Sequence, residues 1–164
     1  MRFRRRRRRG RARPLQIAGL VTALALAIGW AAHQALKPGP WQHVFATREG
    51  LEGRRLACGE IIRPGALFVA LPHPGALRRS VEIRYGARAL VVPVLDVGPW
   101  NIADAYWERS DRPAAERGRG AFRTPANPAG IDLSDATFAA LGLRDNDYVE
   151  WRFVHQGYIP LPRL

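Results

Sequence analysis

Asp96 and Asp132 are the residues of this sequence whose type and setting best fit chemistry. Asp96 closes the apolar run Leu90-Val91-Val92-Pro93-Val94-Leu95 and is followed by Val97-Gly98-Pro99-Trp100. Asp132 lies in Gly130-Ile131-Asp132-Leu133-Ser134, again at a strand end and just before a short helix. Carboxyls held at the mouth of a β-rich core can act as general acid and base, as glycan cleavage requires. A hydrolase needs two carboxylates at a defined separation. The two aspartates are 36 residues apart in sequence, so only the fold can bring them together. Each also has a structural alternative: Asp132 can N-cap the helix that follows, and Asp96 can fix the Gly98-Pro99 turn. Trp100, Tyr106 and Trp107 follow closely and can either stack on sugar rings or pack a loop onto the core.

Other reactive side chains carry less. The single cysteine, Cys58, allows neither an intrachain disulfide nor a cysteine-based metal site, and reads as a small buried residue. His33, His43 and His155 lack metal-ligand spacing. No metal and no cofactor is expected. Glu108, Asp111 and Glu116 read as a solvated face.

Several short strands must position the aspartates. Ala66 to Leu71 is an apolar run closed by Pro72, and Val81-Glu82-Ile83-Arg84-Tyr85 alternates as a half-buried strand does. Gly86-Ala87 turns the chain into a strand from Arg88 to Leu95, where Pro93 predicts an edge, a bulge or a crossover. Tyr148 to Phe153 alternates again, with Val149, Trp151 and Phe153 inward. Ser134 to Leu141 has helical spacing, and Gly142 follows as a stop. Residues 101–129 have almost no periodicity and read as one long loop, which in a small domain is functional or disordered. Many short strands with one small helix predict a compact β-barrel.

The N-terminus has a different character. The 164 residues carry a formal charge of +12, but nine of the 26 basic residues precede Pro14. The remainder holds 17 basic against 14 acidic side chains, so the body has no basic excess of the kind a nucleic-acid face needs. Nucleic acid is therefore not an expected partner. Residues 15–36 contain no Asp, Glu, Lys or Arg, and as a helix would be about 33 Å long, enough to cross a bilayer. With the arginines of 1–14 held inside, this predicts a single-pass signal anchor in the cytoplasmic membrane and a domain outside it, on the periplasmic or cell-wall side. The competing reading is a cleaved signal peptide with a weak site at Gly29-Trp30-Ala31. Lys37-Pro38-Gly39-Pro40 breaks the helix and opens a linker over 37–53, with the barrel domain expected over 54–164.

Asp96-Val97-Gly98-Pro99-Trp100 resembles the D-x-G-P-aromatic motif of the rare lipoprotein A-like double-psi β-barrel domains. The segment from Gly130 to Leu143 is similar to their I-D-L-S helix ending in A-L-G. Cys58-Gly59-Glu60 resembles the family's S-G-E, and the apolar run into Pro72 and His73 its A-A-H segment. The resemblance covers about Arg54 to Phe153. It implies a mainly β, six-stranded double-psi barrel with an open groove, related to peptidoglycan lytic transglycosylases and expansins. It also implies Asp132 as general acid, with Asp96, Glu60 and His73 as further catalytic candidates. This chain departs from the pattern in having Val97 where the family has Arg, in its displaced His73, and in the long 101–129 insertion. The expected partner is peptidoglycan or another cell-envelope polysaccharide, bound and cleaved in the groove. The alternatives are an expansin-like binder without catalysis and a scaffold that docks an envelope protein through 101–129.

Overall fold

The computed structural model describes residues 14–50 and 52–155, with side chains from residue 23 onward. The arginine run therefore lies outside the described residues, as does the end of the chain beyond 155. Helix α1 (Pro14–Leu36) comes first. Leu24, Leu26, Ile28 and Trp30 on it are all exposed. Among the described residues no helix is long and apolar enough to cross a membrane. The span expected over 15–36 begins where side chains are not described.

Six strands then close a barrel: β1 (Gln42–Glu49), β2 (Val69–Leu71), β3 (Ser80–Tyr85), β4 (Arg88–Val97), β5 (Ile131–Ser134) and β6 (Asp147–Phe153). The expected six-stranded, mainly β barrel is present. Around the ring the order is β1-β5-β2-β4-β3-β6. Exchanging β1 with β4, β2 with β5 and β3 with β6 reproduces that ring, so the strand order of the two halves has a pseudo-twofold relation. The exchange also swaps the two parallel pairs, β1/β5 and β2/β4.

β1 corrects the linker drawn over 37–53. It alternates inward Val44 and Ala46, both buried, with outward Phe45, Thr47 and Glu49. The chain from Gln42 onward thus belongs to the barrel, which the adjacent apolar pair Val44-Phe45 disguised by breaking a clean period of two. The irregularity expected at Pro93 falls just beyond it. Pro93 itself pairs with Ser80, and the ladder to β2 skips from Val69↔Val94 to Ala70↔Asp96. One extra residue, Leu95, is accommodated there as a β-bulge, which turns both Leu95 and Asp96 to the outer face.

The interior is filled by Val44, Val69, Leu71, Ile83, Leu133 and Trp151, with their neighbours. The 101–129 segment is tied down by its own residues. Tyr106 enters the core at 0% exposure, its hydroxyl donating to Gly130 O at 3.0 Å and accepting from Trp151 Nε1 at 3.0 Å. Asp104 Oδ2 accepts from Ala114 N at 2.7 Å, and Pro113 packs so closely on Gly130 that a Cβ there would lie 2.5 Å from its Cγ. Helix α2 (Asp135–Leu141) is capped by Ser134, whose hydroxyl accepts from Thr137 N at 3.1 Å, and ends at Gly142 in the left-handed region.

Candidate functional site

Strand alternation decides which way Asp132 points. Its neighbours Ile131 and Leu133 are fully buried inside the barrel, so the Asp132 side chain stands on the outer face of β5. The register then builds a row across four strands: Thr47 on β1 pairs with Asp132, Asp132 with Ala70 on β2, and Ala70 with Asp96 on β4. Paired residues face the same side, with strands about 4.8 Å apart, so the two aspartates flank the small Ala70. The fold thus brings together the two carboxyls that the sequence singled out.

A third carboxyl joins them. Glu49 lies two residues beyond Thr47 on the same face of β1, within hydrogen-bonding reach of Asp96. Burial, followed by the charges of Asp132 and Asp96, pushes its pKa up to about 8, with Arg54 acting in the opposite direction. Its Oε2 is buried and without a hydrogen-bond partner among the described residues. Burial also raises Asp132 to about 6; the charge of Asp96 adds to the rise, and a hydrogen bond donated by the Thr47 hydroxyl opposes it. Near neutral pH, Glu49 therefore carries a proton while Asp132 exchanges one.

Two segments cover this row. The 52–62 segment is anchored by a small cluster of Leu56, Ile62 and Phe68 with Leu95 beside it, and its Ala57 N donates to Asp96 Oδ1 at 2.7 Å. That bond, and not the Gly98-Pro99 turn, is the structural role of Asp96. Beyond β4, the turn passes directly over Asp132, so that a Cβ on Gly98 would lie 3.5 Å from Asp132 Oδ2. Because Ser134 is the N-cap of α2, Asp132 has no capping duty.

Asp132 opens into a groove of about 480 Å³ walled by Arg54, Trp100, Ile102, Phe122 and Arg123. Trp100 holds φ +58°, a left-handed backbone that a bulky residue rarely adopts without restraint. The restraints are Ala121 N donating to its carbonyl at 2.9 Å and its Nε1 donating to Asn127 Oδ1 at 2.9 Å. Phe122 stands 83% exposed at the rim and Ile102 50%. Neither was singled out in the sequence, which gives no local sign of an aromatic facing a groove.

The other expected site residues lie elsewhere. Tyr106 is a correction: its ring and hydroxyl are consumed by the core and cannot meet a sugar. Trp107 is buried beside it, edge-on to Trp151 and Phe153, and lines a separate cavity of about 310 Å³. Glu60 pairs with Arg78 at 3.6 Å and is not among the charges acting on Glu49 or Asp132. His73 caps the 3₁₀ turn Pro74–Ala76, its Nδ1 accepting from Gly75 N at 3.0 Å, and sits edge-on to Trp107 at 6.3 Å. Among the described residues no cluster of His, Cys, Asp and Glu is arranged to hold a metal.

A family model described as a domain of unknown function (DUF8814) matches residues 36–121, more than half of the chain. The chain belongs to that family. Its matched region contains β1 to β4 and the Asp96 turn, and ends before Asp132. No curated protein matches the sequence. Among solved structures the chain is similar to the Streptomyces papain inhibitor, at 24% identity and a TM-score of 0.48, over 72% of this chain and 97% of the inhibitor. It is also similar to an expansin of Clavibacter michiganensis in complex with cellohexaose, at 15% identity and a TM-score of 0.47. The apo form of that expansin gives 17% and 0.46. In both forms the match spans 74% of this chain and 54% of the expansin, about half its length.

Proposed function

We propose that this protein is a double-psi barrel of the rare lipoprotein A-like kind, anchored by α1 at the outer face of the cytoplasmic membrane. Its groove binds cell-envelope polysaccharide, peptidoglycan first, and Asp132 cleaves it as in a lytic transglycosylase. The pseudo-twofold relation of the strands supports the double-psi reading. The uncharged run at 15–36 and the exposed apolar side chains of α1 support the anchor.

The observation that carries the reading is Asp132 at the floor of an open groove, with a pKa near 6 and no structural task beyond its bond to Thr47. A carboxyl there is protonated in about one molecule in ten at pH 7 and gives up its proton readily. With the glycosidic oxygen above it, Asp132 donates that proton as the C1–O bond breaks. The C6 hydroxyl then bonds to C1 and returns its proton to Asp132, so the proton count closes and no water is consumed. Trp100 and Phe122 offer rings against which sugars can lie.

A second reading, binding without cleavage as in expansins, is favoured by one observation. Thr47 and Ala57 each occupy an oxygen of an aspartate, which suits carboxyls that only hold sugar hydroxyls. Incubating the full chain in detergent with purified peptidoglycan, then analysing the soluble products by mass spectrometry, separates the two. Anhydro-muropeptides are expected; retention on the sacculus without products would leave binding alone.

A further inference from the structure

The wall of the groove carries charge that the barrel does not neutralise. Some arginines of the barrel meet acids at short range, as Arg84 does Glu150 at 2.8 Å and Arg152 does Glu82 at 2.7 Å, while others such as Arg55 and Arg88 donate to backbone carbonyls. Among the described residues Arg54 and Arg123, both lining the groove, form no ion pair. Arg54 partly offsets the acids behind it through its field on Glu49. Arg123 is different, since its guanidinium lies against the face of Trp100, 5.2 Å from the ring centroid. The groove is therefore divided, with acid at its floor under Gly98 and cations on its wall beside the aromatic rings.

We infer that the groove selects glycans whose sugars carry a carboxylate, with Arg123 as its main partner and Arg54 as the second. This rests on the glycan-binding reading above and adds the class of sugar. A guanidinium presents a planar fork that matches a carboxylate in two hydrogen bonds, and charge-assisted bonds are about twice as strong as neutral ones. A sugar carboxylate is repelled from Asp132 and Asp96 at the floor and attracted to the wall. That opposition fixes the register of the chain: the acidic substituent lies at Arg123, the ring against Trp100 or Phe122, and an uncharged glycosidic linkage over Asp132. A neutral polysaccharide would lack this orienting force. The carboxylate can come from a uronic acid or from the lactyl group of a muramic acid that carries no stem peptide, which share the same chemistry.

The test measures calorimetric binding of the full chain in detergent to four probes. Two are a galacturonic acid hexamer and its methyl ester. The other two are peptide-free peptidoglycan strands and the same strands with their lactyl carboxyls amidated. Each acid form should bind about tenfold more tightly than its neutral counterpart, the worth of one charge-assisted hydrogen bond. The gap should narrow at high salt. Arg123→Gln, an exposed substitution, should remove most of the gap, and Arg123→Gln combined with Arg54→Gln all of it; a gap unchanged in the double variant overturns the inference. A preference confined to one acid pair would identify which source the groove takes. Equal binding of acid and neutral forms overturns the inference and leaves glycan binding standing. Binding to none of the four overturns both.

Discussion

Asp132 and Asp96 stand two strands apart on the outer wall of the barrel, each paired in register with Ala70 between them. The bulge at Leu95 makes that possible. Without the extra residue Ala70 would face Leu95, and Asp96 would fall on the next rung. The site is thus a property of ladder register, and Glu49 enters it only because β1 runs parallel to β5.

The raised pKa of Glu49 makes stability depend on pH. Unfolded, Glu49 ionises with an ordinary value of 4.5; folded, it keeps its proton to about 8. Between those values the folded state binds more protons than the unfolded one, so stability falls as pH rises across that window. Glu49→Gln should flatten the decline between about pH 5 and 8 and raise the urea midpoint most at the alkaline end. Identical pH profiles for the two proteins would mean that Glu49 is ionised in the fold.

Ser134 and Asp132 are near neighbours with opposite duties. The Ser134 hydroxyl caps α2, accepts from Phe68 N at 3.2 Å and bonds Thr137 Oγ1 at 2.9 Å, all out of solvent. Ser134→Ala should cost about 1–3 kcal/mol in chemical denaturation, since a cap is lost and buried donors are left unpaired. Ser134→Thr should recover part of it. A change below about 0.5 kcal/mol for the alanine variant would show that Thr137 alone satisfies these groups.

Trp100 and Tyr106 should separate in the same way. Trp100→Ala is expected to weaken glycan binding by about 1 kcal/mol or more with little change in melting temperature. Tyr106→Phe removes the hydroxyl that joins Trp151 to Gly130 and should cost about 1–3 kcal/mol of stability while leaving binding intact. Reversal of these effects would return Tyr106 to the site and Trp100 to the scaffold.

What the sequence disclosed follows from what is local. Strand-end position and a following turn marked Asp96 and Asp132, alternation marked β3 and β6, and a capping serine with a glycine stop marked α2. Glu49 was not legible. Its strand is masked by two adjacent apolar residues, and its nearness to Asp132 depends on a parallel pairing between segments more than 80 residues apart. Tyr106 failed for the converse reason: an aromatic in an aperiodic loop reads the same whether it faces a sugar or plugs a barrel. Glu60 and His73 rested on motif likeness alone, and their local contacts with Arg78 and Gly75 lie outside the row.

The membrane anchor is tested by a reporter fused after Leu164. Activity outside the cytoplasm, with the mature chain retained in the membrane fraction, is expected from the uncharged run at 15–36 and the arginines before it. Reporter activity in the cytoplasm would remove the cell wall as a substrate. A mature protein beginning at Ala32 would remove only the anchor.

The central claim is that Asp132 supplies the proton, and Asp132→Asn tests it most directly. Asparagine is nearly isosteric, and Ser134 holds the helix cap, so the barrel should remain folded. The variant should still bind peptidoglycan, because its amide donates and accepts hydrogen bonds. Release of anhydro-muropeptides should fall at least about a hundredfold, the low end of what a positioned acid contributes. In the wild type, cleavage should decline as pH rises through about 6, following loss of the Asp132 proton. An Asp132→Asn protein that cleaves at the wild-type rate would contradict the account and pass the role of acid to Glu49 or Asp96.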